Sequence, residues 1–277
     1  MDINNRTGFW IKPTVDLIRH RKLIALINPL LKNFLNANWL TVGDGKFGSE
    51  GQYIKIHGSH ALCTDLNIDD LKFAFDSSLI DAYEFQNAES LTYPDDYFDF
   101  VLCHQAFHHF KKPLIGLYEM IRVSKIAVAI CEPNDFYPSP FFRSFLKYIK
   151  DLIRRFLKYS IKHYDTGNYE VEGNYVYGIS LREIEKICLS LNLRYIFFKY
   201  IDDYWAKGMD QELEHDNGPL LRTYRKVLLK KMFLTKLRLN KPNNISVVVF
   251  KKQPTLNVIL DYEKIGFKLI RLPSSPY

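Results

Sequence analysis

Residues 39–48 decide the fold, and they read WLTVGDGKFG. The first four form a short, mostly apolar run of strand type, three glycines follow, and helix-like periodicity begins at Ser49. Glycines at such a turn let the backbone reverse tightly and approach a ligand closely. The N-terminus of the next helix can then face an anionic group. An ordinary strand-to-helix turn could have the same sequence, so this loop alone is compatible with either a ligand-binding loop or a plain turn.

The alternation of apolar run and helix-like stretch continues on both sides of this loop. An amphipathic helix is expected over 14–36, and five apolar runs follow within about ninety residues. Such spacing predicts a Rossmann-like α/β fold, with a doubly wound, seven-stranded, mostly parallel sheet. The runs are 39–42, 61–63, 82–85, 98–102 and 126–131, the helical stretches 49–56, 68–75 and 114–123, and later elements are expected at 181–191, 194–200 and 245–250.

The alternation of apolar runs and helix-like stretches stops after Pro133 and resumes almost fifty residues later, which divides the chain into three parts. We expect a core with an N-terminal helix at 1–133 and a lid or substrate-binding insertion at 134–180. The rest of the core follows at 181–277, with a charged insertion at about 201–244. The whole chain is 47% hydrophobic and 25% charged, which suits a globular protein. The absence of any long apolar run favours a cytoplasmic protein.

Charge is distributed unevenly along the chain. The net charge is +7, yet 141–163 carries +6 and 222–241 carries +8, so the remainder is acidic. The apolar face of 141–163 fits either a peripheral contact with the inner face of a membrane or a buried cap helix. The basic stretch 222–241 follows an acidic loop, and the two could neutralise each other. Four widely separated cysteines predict neither a disulfide framework nor a metal site.

Asp65 stands at the end of the second apolar run, about twenty residues after the glycine loop. A carboxylate at this place can bind both hydroxyls of a ribose. It could equally cap the helix that follows. The glycine loop before it favours the ribose.

The stretch from Asn87 to His109, with the glycine loop and Asp65 before it, resembles the class I S-adenosylmethionine-dependent methyltransferases. The segments LYEMIRV at 117–123 and ICEP at 130–133 match that pattern in order and spacing. The resemblance implies S-adenosyl-L-methionine as cofactor and S-adenosyl-L-homocysteine as product. Two positions depart from the family pattern, because Thr41 stands where an acidic residue is usual and Asn87 replaces the commoner aspartate. The residues implied in cofactor binding are Gly43, Asp44, Gly45 and Gly48 around the methionine moiety, Asp65 on the ribose, Asn87, Ala88 and Glu89 at the adenine, and His104 facing the methyl donor.

Two shorter segments, LTVGDG at 40–45 and GNYVY at 173–177, resemble a methyltransferase subgroup often encoded in surface-polysaccharide clusters. This resemblance implies a saccharide or sugar-containing acceptor and methylation on oxygen. A hydroxyl acceptor needs a general base, and the segment HQAFHH at 104–109 supplies imidazoles beside the cofactor. His104 and His108 are the catalytic candidates, although His108 could instead hold a loop by hydrogen bonds. The candidates for acceptor binding follow the fifth run or lie in the insertion: Glu132, Asn134, Asp135, Tyr164, Asn174, Tyr175 and Tyr177.

Two rival functions remain at this point. The basic segments suit an RNA methyltransferase, but the acidic body and the lack of an RNA-binding module disfavour nucleic acid. The chain could also be a catalytically silent, cofactor-binding partner subunit. The sequence leaves the acceptor and a homo-oligomeric state open.

Overall fold

The computed structural model describes residues 13–135, 176–237 and 239–274. Eight strands form one sheet in the order β3-β2-β1-β4-β5-β7-β6-β8. The first five are parallel, β7 runs antiparallel to both β5 and β6, and β8 runs antiparallel to β6. The strands are β1 Asn38–Val42, β2 His60–Asp65, β3 Ala82–Phe85, β4 Phe98–His104, β5 Ser124–Pro133, β6 Tyr195–Ile201, β7 Asn244–Phe250 and β8 Lys268–Arg271.

Helices cover both faces of this sheet. Alternation along each strand sends neighbouring side chains to opposite faces, so Trp39 packs in one core cluster and Leu40 in the other. The helices are α1 Val15–Ile24, α2 Asn28–Asn33, α3 Ser49–Ile56, α4 Asp69–Asp76, α5 Pro113–Val123, α6 Leu181–Ser190, α7 Pro219–Lys236 and α8 Leu256–Lys264.

The predicted Rossmann-like, doubly wound sheet is confirmed, with eight strands in place of seven. The eighth, β8, is four residues long and only partly buried, so its sequence lacks the apolar run that marks the inner strands. The helix expected over 14–36 is divided by a 3₁₀ turn at Ala25–Ile27, after which Pro29 lies in the first turn of α2. Helix α7 lies within the stretch expected only as a charged insertion.

A third, smaller apolar cluster joins α7 to α1. Val15 of α1 packs with Met209, Leu221 and Tyr224. The strands β5 and β6 point the same way because both pair antiparallel with β7, so the loop after β6 leaves the sheet at the edge where β5 ends. Both α1 and α7 are therefore held near the carboxyl ends of the strands.

The two ends of the predicted insertion meet each other. Asn134 forms a parallel bridge with Ile179, and the Asp135 amide donates to the Ile179 carbonyl at 3.1 Å. Segment 141–163 and the candidates Tyr164, Asn174 and Tyr175 lie outside the described residues. Among the helices that are described, none has the length and apolar character to cross a membrane.

Candidate active site

The glycine loop, residues 43–48, packs between the ends of β2 and β4. The amides of Gly43 and Asp44 both donate to the Thr64 carbonyl, at 2.9 and 3.1 Å. Gly43 has a φ of +77°, and a Cβ there would stand 2.3 Å from the Cβ of Ala106. Only glycine fits that conformation and that space. The loop after β4 therefore backs directly onto the loop after β1.

Gly45 faces the carboxylate of Asp65. A Cβ on Gly45 would lie 2.7 Å from Oδ2 of Asp65. The other oxygen, Oδ1, accepts from the Asn67 amide at 2.8 Å. Helix α4 begins at Asp69 with Ile68 as its N-cap, so Asp65 does not cap it. A half-buried carboxylate with a backbone-fixed orientation thus borders the glycine loop, as a ribose site requires.

Asp44 is turned inward, toward helix α3. Its Oδ1 accepts from the Glu50 amide at 3.1 Å, while Oδ2 accepts from the Gly51 amide at 2.9 Å and from the Thr41 hydroxyl at 2.8 Å. Burial, with the neighbouring Glu50 carboxylate, raises the pKa of Asp44 well above its usual range. The side chain therefore fastens the loop to the first turn of α3, whose N-cap is Gly48 with a φ of +62°.

His104 forms a buried ion pair that the sequence did not reveal. Its Nδ1 lies 2.8 Å from Oε1 of Glu50, and its side chain is 1% exposed. Burial by itself would lower the pKa of His104, but the Cys131 sulfur and the Glu50 carboxylate raise it to about 10. A protonated imidazole cannot accept a proton at neutral pH, so these contacts suit His104 to fixing structure and not to general-base catalysis.

His20 of α1 completes this group. His20, Glu50 and His104 offer metal-ligand atoms within 4.8 Å of one another. Within the group Glu50 pairs directly with His104 at 2.8 Å and accepts from the Ser49 hydroxyl at 2.7 Å. The His20 Nε2 lies 3.5 Å from Oδ2 of Asp16. The Lys46 Nζ of the glycine loop lies 4.0 Å from the same oxygen, so the Asp16 carboxylate links α1 to that loop.

The loop after β3 carries the candidates for adenine recognition. Asn87 is exposed, and its Oδ1 accepts from the Glu89 amide at 3.0 Å. Glu89 accepts in turn from the Lys112 amide at 2.9 Å. Ala88 is buried against α5. A Cβ added to Gly116 of that helix would lie 3.6 Å from the Ala88 carbonyl oxygen. The turn is held by its own side chains and presents its backbone at the sheet edge.

His108 and Glu132 form a second buried pair, on the opposite side of the sheet from His104. The His108 Nδ1 lies 2.7 Å from Oε2 of Glu132. Oε1 of Glu132 accepts from the amides of Ala106 and Phe107, at 3.0 and 3.1 Å. Glu132 is fully buried. Because its carboxylate accepts, we assign a proton to the His108 Nδ1, so that Nε2 is the ring nitrogen not bound to Glu132.

A cavity of about 310 Å³ opens between the end of β5 and the start of α6, and His108 is not among the residues that line it. The candidates Asn134 and Asp135 line it, whereas Glu132 does not. Tyr177 is exposed, and its amide donates to the His108 carbonyl at 3.1 Å. The sequence missed the other lining residues, which come from three separate segments of the chain: Ser180, Leu181, Arg182, Glu185, Tyr200 and Lys241.

Comparison with known proteins finds a matching domain and similar folds. A family model described as a methyltransferase domain matches residues 40–128. No curated protein sequence matches the chain. Among solved structures, the fold is similar to an S-adenosylmethionine-dependent methyltransferase from Archaeoglobus fulgidus. The two share 16% identity at a TM-score of 0.51, over 86% of this chain and 95% of that one.

Two further structures resemble the chain to the same degree. The YcgJ protein of Bacillus subtilis has 14% identity and a TM-score of 0.50, covering 85% of this chain and 100% of its own. A chain from the complex of the Haloferax volcanii Trm112 methyltransferase activator with a methyltransferase has 12% identity and a TM-score of 0.51. It covers 86% of this chain and 92% of its own. The predicted class, an S-adenosylmethionine-dependent methyltransferase, is confirmed by the domain match together with the fold.

Proposed function

We propose that this methyltransferase acts on a hydroxyl of a saccharide or sugar-containing small molecule, in the biosynthesis of a surface polysaccharide. The observation that carries the proposal is the His108–Glu132 pair at the edge of the sheet. It provides an oriented imidazole base, which transfer to oxygen needs as the acceptor loses its proton. Transfer to a more nucleophilic atom, such as a thiolate, would need no such base.

The residues around the glycine loop fit S-adenosylmethionine. Gly43 and Gly45 let the loop approach Ala106 and Asp65 more closely than any side chain would allow, and Asp65 offers a carboxylate to a ribose diol. Asn87 and the Ala88 backbone would meet the adenine, with Glu89 holding their turn. Gly48 and Asp44 would keep the loop in shape around the methionine moiety. When bound, the cofactor supplies an electrophilic methyl group.

His108 would act on the acceptor as the general base. Glu132 fixes the imidazole at 2.7 Å and keeps the proton on Nδ1, so that Nε2 can take the hydroxyl proton. Glu132 is itself held by two backbone amides, which limits the rotation of both side chains. In this proposal Glu132 is a positioning residue. Aligned reactants gain about 7–11 kcal/mol from proximity alone, so a rigid base is of direct use.

The cavity between the end of β5 and the start of α6 would hold the sugar. Its volume of about 310 Å³ suits a single sugar ring with its hydroxyls. Tyr200 offers a flat apolar surface, and Asn134, Asp135 and Glu185 offer hydrogen-bonding groups for hydroxyls. Insertion 134–180 would act as the lid, with Tyr164, Asn174, Tyr175 and Tyr177 completing the acceptor site.

The first experiment is calorimetric titration of the protein with S-adenosylhomocysteine, followed by a screen of nucleotide-linked and lipid-linked sugars. Micromolar binding, lost or much weakened in Asp65→Ala, would support the cofactor site. Methyl transfer to a sugar hydroxyl, lost in His108→Gln, would support the reaction. Transfer to RNA and not to any sugar would favour the rival RNA methyltransferase. Cofactor binding with no turnover on any acceptor would favour a catalytically silent subunit.

A further inference from the structure

Helix α7 presents an apolar stripe to solvent. Leu229, Met232, Phe233 and Leu237 are 67%, 56%, 63% and 50% exposed. Their spacing of three, four and eight residues from Leu229 places them on one side of the helix. Isolated exposed apolar residues are ordinary, but four large ones in a continuous stripe mark an interaction surface.

The other side of α7 packs against the rest of the protein. Leu221 and Tyr224 are buried in the cluster with Val15 and Met209. The Lys231 Nζ donates to the Asp203 carbonyl at 2.5 Å, and the Thr235 hydroxyl donates to Oδ2 of Asp202 at 3.2 Å. These contacts fix the rotation of the helix. The apolar stripe therefore faces outward because the inner face is anchored.

Basic side chains surround the stripe. Helix α7 contains no acidic residue. The acidic loop before it is occupied with other partners, since Asp203 binds Arg19 at 2.6 Å and Glu214 lies 3.9 Å from Arg21. Within the described ranges, no ion pair involves the five exposed cations of the helix. These cations are Arg222, Arg225, Lys226, Lys230 and Lys236.

We propose that the outward face of α7 docks on the surface of an anionic lipid bilayer. A helix lying in the interface needs both features at once, apolar side chains to enter the acyl boundary and cations to meet the headgroups. Phosphates of a nucleic acid would use the cations and leave the stripe exposed to water. A second copy would set one basic face against another. The segment 141–163 carries +6, so it too would add like charge.

This surface lies at the functional edge of the sheet. The residues that anchor α7, Asp202 and Asp203, follow β6 directly, and Asn244 pairs with both Ile201 of β6 and Pro133 of β5. Docking through α7 would therefore bring this edge of the enzyme to the bilayer. The inference stands on the helix alone and does not depend on the identity of the acceptor.

The test is cosedimentation of the full chain with phosphatidylcholine vesicles that contain or lack about one third phosphatidylglycerol. Binding to the anionic vesicles at 0.1 M salt, reversed at 0.5 M, is the expected result. Leu229→Ser/Phe233→Ser and Lys226→Glu/Lys230→Glu should each weaken partitioning about tenfold or more. The matched controls, Leu256→Ser/Leu260→Ser and Lys252→Glu/Lys268→Glu, alter exposed residues of the same kinds elsewhere and should bind as wild type does.

Three results would overturn the proposal, provided that thermal unfolding shows the variants to be folded. The first is no binding of the wild type to anionic vesicles. The second is binding that the α7 variants retain but Arg154→Glu/Arg155→Glu abolishes, which would assign the contact to segment 141–163. The third is tighter binding to single-stranded RNA than to vesicles through the same α7 residues. S-adenosylhomocysteine binding is measured separately, so failure of the docking surface leaves the proposed function standing.

Discussion

The imidazole of His108 is held by the carboxylate of Glu132, 2.7 Å away and on the next strand of the sheet. One oxygen of Glu132 receives two backbone amides from the loop after β4, and the other receives His108. The carboxylate thus fixes both the loop and the ring that the loop carries. A structural role alone would need only the first of these contacts, and orientation of the ring is what a base requires.

Replacing His108 by Gln should lower kcat about 10²- to 10⁴-fold while leaving the affinity for S-adenosylhomocysteine within about twofold. Glutamine keeps a polar side chain of similar reach but cannot serve as a base at neutral pH. Single-turnover kinetics and calorimetry would measure the two quantities. His109→Gln is the matched control, because His109 is exposed and adjacent, and it should retain activity. An unchanged kcat in His108→Gln would remove the base from the proposed reaction.

Asp65→Asn should weaken binding of S-adenosylhomocysteine about tenfold or more. The amide keeps an oxygen for the Asn67 amide at 2.8 Å, so the turn survives, but the charge that would accept from both ribose hydroxyls is lost. Asp69→Asn removes an exposed carboxylate four residues further on and should bind normally. Equal affinities for all three proteins would place the ribose elsewhere.

The His104–Glu50 pair predicts a pH dependence of stability. The pKa of His104 is raised to about 10 from 6.5, so the folded state holds this proton more tightly than the unfolded chain does. The stabilisation is therefore complete below pH 6.5 and is lost as pH rises toward 10. The unfolding free energy should fall by up to about 1.4 kcal/mol per pH unit across this window.

Urea denaturation at pH 7, 8, 9 and 10 measures that slope. In His104→Gln the contribution of this group to the slope should vanish, whereas His215→Gln, at an exposed position, should keep the wild-type slope. The single change will also cost stability at pH 7, because it leaves Glu50 buried without its cation, a loss of about 3–5 kcal/mol. Identical slopes in wild type and His104→Gln would show that the pair is not ionised as described.

The sequence predicted the sheet well because its inner strands are buried on both faces. Such strands read as nearly continuous apolar runs, as Ser124–Pro133 and Asn244–Phe250 do. The partly buried β8 does not, since only some of its side chains enter the core. The sequence did not predict helix α7 for a related reason, because the few buried positions of this helix stand among many cations.

The local parts of the site were predictable and the long-range parts were not. Gly43, Gly45 and Asp65 follow strand ends, where loops of one sheet edge must converge. The resemblance places Asp44 beside the methionine moiety, and its bonds to the amides of α3 could not be foreseen, since a carboxylate at a helix N-terminus suits either role. The pairing of His104 with Glu50 spans 54 residues and leaves no periodic trace in the sequence.

The contact between Gly51 and Cys63 offers a test of packing under the glycine loop. A Cβ on Gly51 would lie 2.1 Å from the Cys63 Sγ, because α3 approaches β2 through its glycine. Gly51→Ala should therefore destabilise the fold by about 1–3 kcal/mol, despite the better helix propensity of alanine. Removing the sulfur in Cys63→Ala makes room, so the double variant should recover most of that loss, and a double-mutant cycle in urea would give the coupling directly. Additive losses would mean that helix and strand move apart to relieve the clash, and that the close approach of α3 is not what holds the loop.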